Sequence, residues 1–247
     1  MTRTYLDSEK LKADFLAEIG KHEQLDAVVQ GAYDATMGDQ FRGCAIGCSL
    51  HSLNTISGKP NRAISDHARY EEELGLPIWL AYLEDNIFER LPLELAKTWP
   101  RRFAEAIPVG AIVEDIVLAK ILRWTLADAE FGVRFATDKA EIRGHIDTIV
   151  AMFDAEIAGT CTADQREVAA RAAWDARAAW AARAAWDARA AWAARDAWDA
   201  RAARDAWDAR AARAAWAATI AAGFYPALAE YTLQLLRALP GPAGAPK

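Results

Sequence analysis

RAAWDARAAWAA (residues 171–182) recurs letter for letter at 183–194, and RDAWDARAA (195–203) recurs at 204–212. Within Ala169–Ala218, 28 of 50 residues are alanine, the strongest helix former, and neither glycine nor proline occurs between Gly159 and Gly223. The stretch predicts one long α-helix over about residues 163–222. Its triplet period is not a helical face. At about 100° per residue, Trp174, Trp180, Trp186, Trp192, Trp198, Trp207 and Trp216 wind round the axis and form neither a heptad seam nor the single apolar side of a membrane-lying helix.

Length sharpens this reading. A straight helix over these residues spans roughly 90 Å, whereas a compact body of about 160 residues has a radius of gyration near 15 Å. The repeat is therefore expected to project, bend or meet another chain. Indoles on all sides of a projecting rod are an aggregation liability, which points to a homo-oligomer or a protein partner engaged through the repeat helix. A solvated spacer is the plainer alternative.

Upstream, Asp7 or Ser8 is placed to cap a first helix carrying Leu11, Phe15 and Ile19, fading at Gly20, with a short helical stretch at Leu25–Val29. Glycines at 31, 38, 43, 47 and 58, then Pro60, predict an irregular segment over residues 31–63. Helical spacing returns after Pro77, with Trp79, Leu80, Leu83 and Ile87, and again after Pro92. A separate short helix is expected to carry Phe103 and Ile107, followed by helices at Val113–Leu126 and Lys139–Ile157. Alternating strand patterns and Asn-Gly or Asp-Gly hairpin signals are absent. The expected fold is all-α: a helical domain over 1–160, the repeat helix, a turn at Pro226 and a short returning C-terminal helix within 161–239, and a disordered tail at 240–247.

Charge and composition bound the function. The net charge of −6 divides unevenly: nine Arg against six Asp give +3 in Ala169–Ala218, leaving −9 elsewhere. An acidic body disfavours nucleic-acid binding, which needs a basic face. No apolar run long enough to span a bilayer and no signal-peptide stretch is visible. Three cysteines make no disulfide framework, and free thiols in a cytoplasmic setting are expected.

The densest chemistry is Gly43-Cys44-Ala45-Ile46-Gly47-Cys48-Ser49-Leu50-His51. If helical, Cys44, Cys48 and His51 share an arc of about 60°, and His67 follows sixteen residues after His51. Two thiolates and two imidazoles form a legitimate zinc or iron ligand set: Cys44, Cys48, His51 and His67. A nucleophilic alternative gives a cysteine- or metal-dependent hydrolase, with Cys48 as thiolate and His67 as base. The bland reading makes the cysteines small buried hydrophobes beside glycines that permit close packing. Carboxylates at Glu71, Glu72, Glu73, Glu84, Asp85 and Glu89 form a third candidate, converging with His67; the adjacency of Glu84 and Asp85 predicts that at most one faces inward. A ligand pocket would use His51, His67 and Glu84.

GCAIGCSLHS at 43–52, HARYEEELGLPIWLAYLEDNIFERLP at 67–92 and AIPVGA at 106–111 together resemble a group of uncharacterised bacterial and phage proteins. These share a GCAxGC-x2-H motif and an Ala/Trp/Arg-rich C-terminal helix. The resemblance covers roughly 41–130 and the repeat; it implies a cytoplasmic prokaryotic or phage protein and transfers no catalytic residue. The sequence thus predicts an interaction or ligand-binding protein whose body holds a ligand or metal and whose repeat helix mediates assembly.

Overall fold

The computed structural model describes residues 2–136, 140–179 and 218–241. It is all-α, and among the described residues the extended pairing is limited to isolated bridges, Val28 with Gly43 and Met37 with Gln40. The helices are α1 (Glu9–Gln24), α2 (Ala45–Ser57), α3 (Arg69–Leu74), α4 (Ile78–Phe88), α5 (Leu93–Ala106), α6 (Asp115–Ala127), α7 (Ala140–Ile157), α8 (Ala163–Ala179) and α9 (Ala218–Arg237). None of them is long and apolar enough to cross a membrane.

The chain divides into two compact units, one formed by 1–113 with 229–247 and the other by 114–228. In the first, Ser8 caps α1 by accepting the Leu11 N–H at 3.1 Å. The chain enters through a 3-10 turn at Thr4–Asp7 whose Tyr5, Leu6 and Asp7 take positive φ. Such geometry costs roughly 1–2 kcal/mol per residue outside glycine. Burial of Tyr5 and its hydroxyl bond to the Ala104 carbonyl at 2.6 Å offset that cost.

Helix α1 runs through Gly20 to Gln24 instead of fading there. Residues 25–29 are not helical: Asp26 adopts φ 50°, and Val28 pairs with Gly43. The segment 31–63 is not irregular throughout, because α2 occupies thirteen of its residues. Cys44 caps its start, Gly58 closes its end at φ 66°, and Ile46, Leu50 and Leu53 bury in the core. Phe103 belongs to α5, which continues through the buried Pro100. An internal proline costs about 3 kcal/mol; burial of Trp99 and Phe103 on the same helix compensates.

In the second unit α6, α7 and α8 pack in succession. Thr162 and Gln165 form a capping box at the start of α8, with Thr162 N–H to Gln165 Oε1 at 2.8 Å and Gln165 N–H to Thr162 Oγ1 at 3.2 Å. Ala169, Ala172 and Ala173 are buried, and Arg166 pairs with Glu156 at 2.7 Å. The break at Gly159 is therefore a turn between packed helices, not the domain boundary expected near residue 160. Nor does Pro226 start a separate returning helix: α9 runs unbroken through Gly223 and Pro226. A Cβ at Gly223 would lie 3.0 Å from the Phe131 ring, so glycine admits that ring beside the helix. Phe224 and Trp124 stack obliquely at 5.7 Å. The repeat helix expected over 163–222 is helical in its described ends, 163–179 and 218–222; residues 180–217 and the tail 242–247 lie outside the described residues.

Candidate metal centre

Two glycines determine how the site is assembled. A Cβ at Gly43 would stand 2.4 Å from the Tyr33 carbonyl oxygen, and one at Gly47 would stand 2.0 Å from it. Their absence of side chains lets the 31–43 loop, not another helix, lie directly against the start of α2. The Cys44 N–H donates to the Ala32 carbonyl at 2.7 Å, and Cys44 Sγ accepts the Gly47 N–H at 3.4 Å. Gln30 fixes the loop to the end of α4 by donating to the carbonyls of Phe88 and Leu91 at 2.6 and 3.0 Å. Glu89 accepts the Gly31 N–H at 2.9 Å.

Asp85 on α4 and Glu89, the residue capping its C-terminal end, supply the acids. Asp85 and Glu89 stand four residues apart and so project from one side of the helix. With Cys44 they form a group in which Sγ and one oxygen of each carboxylate lie within 4.8 Å of one another. Asp85 is buried, and its Oδ2 accepts the Tyr33 hydroxyl at 3.4 Å. Its Oδ1 is buried without a hydrogen-bond partner.

His67 approaches Asp85 from the 58–68 loop. That loop is held by Asn54, whose side-chain amide donates to the carbonyls of Pro60 and Arg62, and by Arg69. The fully buried Arg69 guanidinium donates to Asn54 Oδ1 at 2.8 Å, to the Ala63 carbonyl at 2.7 Å and to Glu73 Oε1 at 2.6 Å. So fixed, His67 is 4% exposed, with its ring stacked flat on Tyr82 at 4.0 Å and edge-on to Tyr33 at 5.9 Å. Its Nε2 stands 3.5 Å from Asp85 Oδ2 and has no hydrogen-bond partner.

Glu84 is also buried, against the expectation that only one of the adjacent pair would be. Helix α4 is covered on more than one side: residues 79–81 and 83–88 are all buried, so neighbouring acids can both lie inside. Glu84 Oε2 accepts the Tyr70 hydroxyl at 2.6 Å, while its backbone carbonyl accepts Trp99 Nε1–H at 3.1 Å. Burial pushes its carboxyl up to about 8, with the Asp85 charge adding and the Tyr70 bond opposing. At neutral pH Glu84 is a neutral acid and no ligand.

Cys48 and His51 go elsewhere. The Cys48 thiol donates to the Gly43 carbonyl at 3.3 Å, and burial pushes it up to about 12. His51 Nδ1 lies 3.2 Å from His22 Nε2, and its ring stacks on Phe41 at 4.0 Å. Desolvation depresses both imidazoles, His22 to about 4. The structure therefore does not gather Cys44, Cys48, His51 and His67 at one point. Cys44 caps α2 while Cys48 and His51 lie on it, and each meets a different neighbour. The nucleophilic pair is not joined either: no hydrogen bond links Cys48 to His67 among the described residues. Burial, with Asp85 second, also pushes the Cys44 thiol up, the opposite of what a thiolate nucleophile requires.

Of the residues that make the candidate site, Asp85 and Glu89 were visible as acids spaced i, i+4 in a helical stretch rich in apolar residues. Tyr33 and Tyr82 carried no signal, since their roles depend on a loop contact and a ring stack. No family model matches the chain, and neither a curated protein nor a solved structure matches it.

Proposed function

We propose that the chain is a metal-binding protein whose first unit holds one transition-metal ion of the zinc or iron class on Cys44, Asp85 and Glu89. The observation that carries this reading is the convergence of a thiol and two carboxylates around a buried Asp85 whose described contacts, Tyr33 and His67, include no fixed positive charge. A buried carboxylate needs compensation by a cation or by proton uptake. A sulfur donor beside oxygens favours a borderline ion over magnesium or calcium. Metal entry would displace the Cys44 proton, since the thiolate is the ligand.

The test is metal analysis of the purified full chain, with Cys44→Ser and Asp85→Asn beside it. Stoichiometric zinc or iron in the parent, lost in both variants, is the expected result. A folded parent that takes up neither ion when reconstituted removes the reading. Assembly through the Ala/Trp/Arg repeat, in a cytoplasmic prokaryotic or phage protein, is the accompanying proposal. The triplet spacing of tryptophan in the sequence over 174–216 supports it.

A further inference from the structure

Resting on that metal reading, we infer that the site has three protein ligands and an exchangeable fourth position that takes a neutral nitrogen or oxygen donor, with His67 positioning Asp85 instead of completing the ligand set. The first argument is geometric. His67 Nε2 lies 3.5 Å from Asp85 Oδ2, yet it is not among the atoms of the mutually close group formed by Cys44, Asp85 and Glu89. Its ring is packed face to face with Tyr82 and edge-on to Tyr33, which fixes the direction of Nε2.

The His67 Nε2 is buried, makes no hydrogen bond and lies 3.5 Å from an oxygen of one of the proposed ligating carboxylates. An imidazole donating to a metal-bound carboxylate is a recurrent outer-shell arrangement, worth about 10–100-fold in metal affinity. Three protein donors are also the pattern of zinc sites that leave one position to water or a ligand.

The second argument concerns charge. A thiolate and two carboxylates around a divalent ion leave a net charge of −1 on the ligand set, with Cys44 and Asp85 buried and Glu89 partly buried. Another anion in the fourth position would add to that charge at low effective dielectric, where like charges repel strongly. Water, an imidazole or a carbonyl oxygen adds none. The site is therefore suited to holding a neutral Lewis base, and unsuited to anions.

The experiment uses the full chain loaded with Co2+ and titrated separately with imidazole and with azide. A thiolate-to-cobalt charge-transfer absorption is expected, with visible bands that shift on adding imidazole. Azide should require at least tenfold higher concentration for an equal response. If no charge-transfer absorption appears and no cobalt binds, the metal reading itself fails. If the absorption appears but imidazole leaves the visible bands unchanged, the open position is overturned while metal binding stands. Equal response to azide overturns the charge argument. His67→Gln should bind cobalt 10–100-fold more weakly with unaltered bands; altered bands without added ligand would make His67 a ligand and overturn its positioning role. The parent titrations decide the open position even if that variant does not fold.

Discussion

Replacing Gly47 by alanine puts the packing of the site to a quantitative test. The new Cβ would meet the Tyr33 carbonyl oxygen at 2.0 Å and the Tyr33 carbonyl carbon at 2.9 Å, and both belong to backbone that cannot swing aside. To restore ordinary contact at 3.4 Å the loop must retreat by about 1.4 Å. That displacement would break the bond from Cys44 N–H to the Ala32 carbonyl, now 2.7 Å. Overpacking costs about 1–3 kcal/mol, and a buried polar group left unpaired costs about 1–3 kcal/mol more. Alanine returns about 1 kcal/mol through helix propensity. The net loss is about 1–5 kcal/mol. Gly144→Ala is the matched control: it is an exposed position of α7 with nothing within 4 Å of the added Cβ, and should gain about 0.5–1 kcal/mol. Urea unfolding followed by circular dichroism reads both. A Gly47→Ala midpoint at or above the parent's, or a Gly144→Ala loss of similar size, would refute the close-approach argument.

Glu84 gives a pH prediction for the metal-free protein. Its folded value, about 8, lies above the ordinary 4.5, so the fold keeps a proton that the unfolded chain releases. Its stabilising contribution is complete below pH 4.5 and is lost as pH rises towards 8, on the order of a few kcal/mol. Glu84→Gln should flatten this slope in urea midpoints measured from pH 5 to 8, and an unchanged slope would contradict the burial argument. His22 has the opposite sign: its folded value near 4 lies below 6.5, so its contribution is complete above pH 6.5 and is lost as pH falls towards 4. The ring signals of His22 in nuclear magnetic resonance should stay unshifted from pH 7 to 5; a midpoint near 6.5 would contradict its burial. Iodoacetamide at neutral pH should label Cys161, the partly exposed thiol, while Cys44 and Cys48 stay unmodified. Labelling of Cys48 at the rate of a free thiol would restore the nucleophile. Changing Trp180, Trp186, Trp192, Trp198 and Trp207 to alanine keeps helix propensity while removing indoles, and should lower the mass per particle in light scattering. Equal masses would favour the spacer.

Much of the fold was written in local signals: Ser8 as a cap, Pro77 and Pro92 at helix entries, and apolar spacing along α4 and α7. What escaped depends on contacts distant in sequence. Helix α2 contains Gly47, Ser49, Ser52, Asn54 and Thr55, which are poor helix formers, and a cysteine cap is not a usual start signal. It is helical because Ile46, Leu50 and Leu53 bury and because Asn54 reaches across to the 58–68 loop. Pro100 and Pro226 read as breaks for the same reason: propensity counts the lost backbone bond, while the burial of Trp99, Phe103, Phe224 and Leu228 is set by tertiary packing.

The candidate site shows the same division. Spacing proposed Cys44, Cys48 and His51 on one side of a helix, but Cys44 caps α2 from outside it, and spacing could not say what each side chain would face. The 31–43 loop decides this, by laying Tyr33 over Gly43 and Gly47 and tying Gly31 to Glu89. Cys44, at the helix start, meets Asp85 and Glu89; Cys48, one turn later, donates to the backbone carbonyls of Ala27 and Gly43. One turn of helix thus separates a candidate ligand from a buried thiol. Cys44→Ser should therefore abolish metal binding and Cys48→Ser should leave it intact, an asymmetry that the motif alone would not suggest. Equal loss in both, with both variants folded, would show that the two sulfurs act together and that Asp85 and Glu89 do not define the site.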